Sequence, residues 1–190
     1  MHIYLVRHTK YHNPENIFPF HLPVNLSVEG RNHAQRVAEW FKSRKISKLP
    51  IFSSPIVRCV QTSEIIAAQT GSYVSCDDRL VETHSPGIQG TRKPEKDDWK
   101  VEDDDPSREP KESIADRSLS IFEEKREEQQ SCILVSHGDP LTILYYQLIE
   151  KKLPKDMWDP KNIELVIDRG EIVDVEITED KPLVLTRYKV

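Results

Sequence analysis

Two apolar runs in this chain stop in a histidine, and the residues around them could do phosphoryl chemistry. Residues 3–6 lead into Arg7-His8-Thr9, and residues 132–135 lead into Ser136-His137-Gly138. Arg58 follows a third short apolar run at residues 49–52, and Glu82 closes Arg79-Leu80-Val81-Glu82. Two guanidiniums and an imidazole match the charge and fork geometry of a phosphoryl group. A second imidazole could attack phosphorus, and a carboxyl group could carry the proton. Taken alone, Arg7-His8 reads more simply as a strand end with two ordinary polar residues, because short motifs match by chance. Glu82 as a surface carboxylate and Arg58 as a helix-surface cation are the competing readings at those positions.

The elements must bring these groups to one place. Four bulky apolar residues in a row suit a strand covered on both faces. Residues 3–6, 49–52 and 132–135 are therefore expected as strands, with an edge strand at 73–76. In open parallel sheets, ligands collect beyond the carboxyl ends of the strands, which is where Arg7, His8 and His137 stand. Ser27 is an N-cap for a helix carrying Ala34, Val37, Ala38 and Phe41 and ending near Lys45. A second helix is expected over 56–67, with Pro55 in its first turn and Gly71 closing it. Ile114, Leu119, Ile121 and Phe122 form the apolar stripe of a helix over 111–128, and another is expected over 141–151. Residues 163–167 and 172–177 read as a hairpin around Arg169-Gly170, with a further strand at 183–188. The alternation calls for an α/β fold: a three-layer α/β/α sandwich with a mainly parallel central sheet and an edge hairpin at the C-terminus.

Two segments stand outside this pattern. Residues 10–26 are a polar loop broken by Pro14, Pro19 and Pro23. Residues 77–110 carry Asp97-Asp98, Asp103-Asp104-Asp105, Pro94, Pro106 and Pro110, with little to bury. The expectation is one domain over 1–190 with a lid insertion at about 84–110. The aspartates lack the alternate spacing and central Gly of a calcium loop.

The totals exclude several classes. A length of 190 residues suits one domain with a real core. The net charge of −5 gives no reason to expect nucleic acid or a membrane surface as partner. Three cysteines, Cys59, Cys76 and Cys132, without CxxC spacing argue against a disulfide framework and a structural zinc. With a strand at the N-terminus and no spanning apolar run, the expected location is the cytoplasm. The expected partner is a small phosphorylated substrate; the oligomeric state is not legible.

Six short elements in register resemble those of the histidine phosphatase superfamily, the phosphoglycerate-mutase-like proteins. They are Arg7-His8-Thr9, Leu26-Ser27-Val28-Glu29-Gly30, the run from Ser54 through Arg58 to Gln61-Thr62, Leu80-Val81-Glu82, Lys111-Glu112-Ser113, and Ser136-His137-Gly138. Two departures stand out: Thr9 replaces the usual Gly, and Asp139-Pro140 follows where small residues are common. The resemblance implies that His8 is the nucleophile and becomes a phosphohistidine. It implies that Arg7, Arg58, His137 and Asn13 bind the phosphate and that Glu82 is the acid and then the base. His137 belongs to the catalytic set as well. No cofactor and no metal is implied, since arginines supply the positive charge. The implied function is a metal-independent phosphomonoester hydrolase. The alternatives are a phosphoglycerate mutase, a protein phosphohistidine phosphatase and a non-catalytic phosphate-binding module.

Overall fold

The fold was examined in a computed structural model that describes residues 1–93, 106–154, 165–178 and 182–190. In chain order the elements are β1 (His2–Arg7), α1 (Val28–Ser43), β2 (Ile51–Ser53), α2 (Val57–Thr70), β3 (Val74–Cys76) and a 3-10 turn (Asp78–Leu80). Then come α3 (Lys111–Glu127), β4 (Cys132–Ser136), α4 (Gly138–Leu148), β5 (Ile172–Glu176) and β6 (Val184–Tyr188). The strands form one sheet in the order β3-β2-β4-β1-β5-β6. β3, β2, β4 and β1 run parallel, and β5 and β6 join antiparallel at one edge.

The continuous apolar runs become strands because both faces of the sheet are covered. Ile3, Leu5 and Leu134 point into a core closed by Ile121 and Phe122 of α3 and Leu141 and Leu144 of α4. Tyr4, Val6, Ile133 and Val135 point the other way, onto Val37, Ala38 and Phe41 of α1 and Cys59 and Ile66 of α2. Burying a side chain such as Phe41 or Phe122 contributes about 1.5–3 kcal/mol. The three-layer sandwich expected from the sequence is thus present.

Several boundaries differ from expectation. The closing hairpin is β5–β6. Residues 165–168 are not a strand, and they lead into a turn at 169–170; residues 163 and 164 lie outside the described residues. α2 begins at Val57, so Pro55 stands before the helix rather than in its first turn. α4 begins at Gly138, not at residue 141. Asp139-Pro140 reads as a break, yet proline is tolerated in a first turn, where N–H groups have no intrahelical acceptor. The acidic part of the expected lid, 97–105, lies outside the described residues. The described flanks of that segment are tied down. Phe18 N donates to Thr91 O at 2.9 Å, and Glu109 N donates to His84 O at 2.7 Å.

Candidate active site

The parallel pairing of β1 and β4 sets Arg7 opposite Ser136, so the next residue of each strand is a histidine. His8 N donates to Ser136 O at 2.9 Å, and the two imidazole centroids are 5.1 Å apart. β2 lies on the other side of β4, and α2 rises from it with Arg58 in its first turn. The 3-10 turn delivers Glu82 to the same edge. Ser136 Oγ donates to Leu80 O at 2.6 Å, and Arg117 Nη1 donates to Arg79 O and Val81 O at 2.8 and 2.7 Å. Arg117 is itself held by Glu109 at 2.8 Å. The peptide carrying Glu82 is thereby clamped from α3 and β4.

The two histidines are buried and their tautomers follow from their partners. His8 Nδ1 lies 2.7 Å from Thr9 O, and a carbonyl can only accept, so Nδ1 carries the hydrogen. His8 Nε2 accepts from Arg58 Nε at 3.2 Å and so keeps its lone pair in the site. His137 Nδ1 accepts from Arg58 Nη2 at 2.9 Å, and Nε2 meets Ser54 Oγ at 2.8 Å. Burial, followed by Arg58, holds both imidazoles well below their ordinary range; Arg7 adds to this at His8. Both are neutral at pH 7. His137 is also the N-cap of α4, whose first N–H groups add positive partial charge.

Arg58 is 1% exposed, and its Nη1 has no hydrogen-bond partner among the described residues. Arg7 Nη1 donates to Ile167 O at 2.7 Å. Glu82 Oε2 lies 3.9 Å from Arg58 Nη2 and 3.7 Å from His137 Nδ1. Its carboxyl is pushed up to about 7, by burial first and then by the charge of Asp139. Asp139 accepts from Thr83 Oγ1 at 2.8 Å and pairs with Arg108 at 3.1 Å.

His8, Arg58, His137 and Glu82 therefore converge, with Arg7 beside them. Asn13 does not join them by any described contact. Its amide closes a loop, donating to Ile17 O at 2.9 Å and accepting from Ile17 N at 3.1 Å. Thr9 has no left-handed backbone, so its turn does not require glycine. Its N–H donates to Thr62 Oγ1 at 3.3 Å. The sequence reading missed four neighbours. Tyr11 stands 5.6 Å from the His8 ring. Ser54 fixes His137. His21, read from sequence as a loop histidine, bonds Glu82 O through Nε2 at 2.7 Å. Arg169 lies close enough to act on the charge of Arg7 and His8. Only Ser54 sat in a motif that could have flagged it. Among the described residues no three His, Cys, Asp or Glu side chains are grouped to hold a metal ion.

The site can be set beside known proteins. Over 91 residues the chain is 42% identical to a phosphoglycerate mutase-like protein of Arabidopsis thaliana, covering 46% of this chain. It spans only 39% of that plant protein's length. The structure is similar to that of a mycobacterial glucosyl-3-phosphoglycerate phosphatase, at TM-score 0.71 and 22% identity, covering 92% of this chain and 89% of that one. It is also similar to a phosphoserine phosphatase of Entamoeba histolytica, at TM-score 0.75 and 20% identity, covering 97% and 94%. The histidine phosphatase superfamily (branch 1) model matches residues 3–189, which supports the phosphatase class that the sequence implies. With that match running from the strand before His8 to the last strand of the sheet, the chain belongs to the histidine phosphatase superfamily.

Proposed function

We propose that the protein is a metal-independent phosphomonoester hydrolase acting through a phosphohistidine on His8. The observation that carries this reading is the fixed tautomer of His8. With Nδ1–H tied to Thr9 O, the Nε2 lone pair faces Arg58 in a buried cationic pocket. A phosphoryl group drawn in by Arg58 and Arg7, and by His137 once the dianion lets its Nδ1 take a proton, takes over the Arg58 hydrogen bond and frees Nε2 of His8 to attack. The N–P bond forms as the P–O bond to the alcohol breaks. Glu82, held protonated by burial and further by the dianion, gives its proton to the leaving oxygen. The resulting carboxylate then takes a proton from water as that water attacks phosphorus. Inorganic phosphate leaves and His8 returns neutral. Asn13 holds Ile17 through one N–H and its Oδ1, which leaves its second N–H as the donor it could offer to the phosphate.

On p-nitrophenyl phosphate, His8→Ala is expected to abolish turnover. Glu82→Gln should lower turnover by roughly 10²–10⁴ with this activated leaving group. Acid-labile, base-stable radiolabel on rapidly quenched protein checks the intermediate. Full activity in His8→Ala overturns the reading; loss of activity to a chelator with recovery on adding magnesium removes its metal-independent part. Mutase transfer on 3-phosphoglycerate is measured in parallel. The same reading takes residues 1–190 as one domain with a lid insertion at about 84–110, and a described flank of that segment reaches the site, where Arg108 pairs with Asp139. It places the protein in the cytoplasm, in keeping with its three unpaired cysteines. No helix among the described residues is long and apolar enough to cross a membrane.

A further inference from the structure

An open groove of about 470 Å³ runs beside the nucleophile, between the loop after β1, the start of α1 and Arg169. That volume is in the range of small-ligand sites. Tyr11 is the wall between this groove and His8. Two cations meet its phenol oxygen: Lys93 Nζ donates at 3.4 Å and Arg169 Nη2 at 3.3 Å. The Arg169 guanidinium also lies 4.6 Å from the centre of the Tyr11 ring. A phenol oxygen has two lone pairs and one hydrogen, so with both lone pairs engaged the O–H is left to donate. The third cation of the groove, Lys10, is paired with Glu29 at 2.5 Å. No carboxylate among the described residues pairs with Lys93 or Arg169. Two cations without a carboxylate partner among the described residues, and a phenol donor, thus gather one aromatic ring away from the attacking nitrogen.

We propose that this groove is a second anion subsite, and that the substrate is a phosphomonoester whose alcohol carries a second phosphoryl group. A carboxylate brings one negative charge, whereas a phosphate monoester brings nearly two at pH 7 and three acceptor oxygens. Lys93 and Arg169, without a carboxylate partner among the described residues, match the second. The guanidinium can take two oxygens in a fork while the ammonium and the phenol take the third. One phosphoryl group then lies at His8 and the other across Tyr11.

The inference rests on the phosphatase reading only for which end is cleaved, so binding and turnover are measured separately. Calorimetric titration compares fructose 1,6-bisphosphate with fructose 6-phosphate, and 3-phosphoglycerate with glycerol 3-phosphate as a carboxylate pair. The proteins are wild type, Lys93→Gln, Arg169→Gln and Arg169→Lys. The bisphosphate should bind wild type at least about 10-fold more tightly than the monophosphate, with a smaller ratio in the carboxylate pair. Each glutamine variant should lower the bisphosphate ratio about 5-fold or more, and Arg169→Lys should restore part of it. Effects shared at His8 cancel in the ratio. No bisphosphate preference in wild type, including no binding of either sugar phosphate, overturns the subsite. So does a ratio unchanged in both glutamine variants. A larger ratio in the carboxylate pair overturns the assignment to a phosphoryl group. An Arg169-dependent preference in a protein that hydrolyses none of the four compounds, nor p-nitrophenyl phosphate, supports the subsite and removes the phosphatase reading.

Discussion

Asp139 stands two residues after His137, at a place where the family resemblance leads one to expect a small residue, and it acts on the acid beside it. Its charge is the second cause, after burial, that raises Glu82 to about 7. In the proposed mechanism Glu82 is the general acid and works while it holds its proton, so activity should be full below that value and fall as pH rises through it. On the same proposal His8 sets the opposite limb, which burial and Arg58 draw well below the usual imidazole range. Removing a negative neighbour makes Glu82 easier to ionise. Asp139→Asn should therefore move the alkaline limb of kcat/KM to lower pH by about one unit or less, and leave the acid limb in place. An unmoved alkaline limb in the pH–rate profile would show that the Asp139 charge does not reach Glu82. The residue types His8, Arg58, Glu82 and His137 were legible because each ends or follows an apolar run. The bonds from the Asn13 amide to Ile17 were not legible, because nothing in its spacing announces them.

At the scale of elements, α1 fixes the loop that follows His8. Ser27 caps the helix by accepting from Gly30 N at 3.0 Å, as its position in the sequence suggested. Gly30 itself lies against Lys10, and a Cβ there would overlap the Lys10 carbonyl oxygen. Gly30→Ala must push the Lys10–Tyr11 backbone away from the helix. It should lower stability by roughly 1–3 kcal/mol, read by urea denaturation. It should also weaken binding of anions in the groove, because Tyr11 is displaced. An alanine variant as stable as wild type would mean the loop yields freely. Gly71 closes α2 in the left-handed region at φ 69°, again as read from sequence. The start of α4 was misread by three residues, and the consequence is chemical: His137 is the helix cap itself.

At the scale of the molecule, the site is an edge of one sheet closed by the end of the chain. Glu171, 1% exposed, receives Arg187 of β6 in two hydrogen bonds, at 2.5 and 2.9 Å. Arg187 also donates to Val166 O at 2.7 Å. The same turn docks on β1, where Gly170 N donates to Arg7 O at 2.9 Å. Arg187→Ala strands a buried carboxylate and should cost about 3–5 kcal/mol, measured as a lower urea midpoint with unchanged slope. A loss below 1 kcal/mol would mean that water reaches Glu171. The sequence by itself determined the layers and the parallel core of the sheet, and it marked His8, Glu82, Arg7 and Arg58 as the candidates for the proposed chemistry. The layers follow from local apolar periodicity and strand ends, which neighbours in the chain dictate; the candidate roles follow from the resemblance of six short elements to the histidine phosphatases. Only the tertiary structure decided the tautomers, the raised Glu82 and the Tyr11–Lys93–Arg169 groove. Apart from the His8 Nδ1–Thr9 O bond, which joins neighbours, each depends on a partner 50 or more residues away, and no local pattern records which distant cation or carboxylate will arrive.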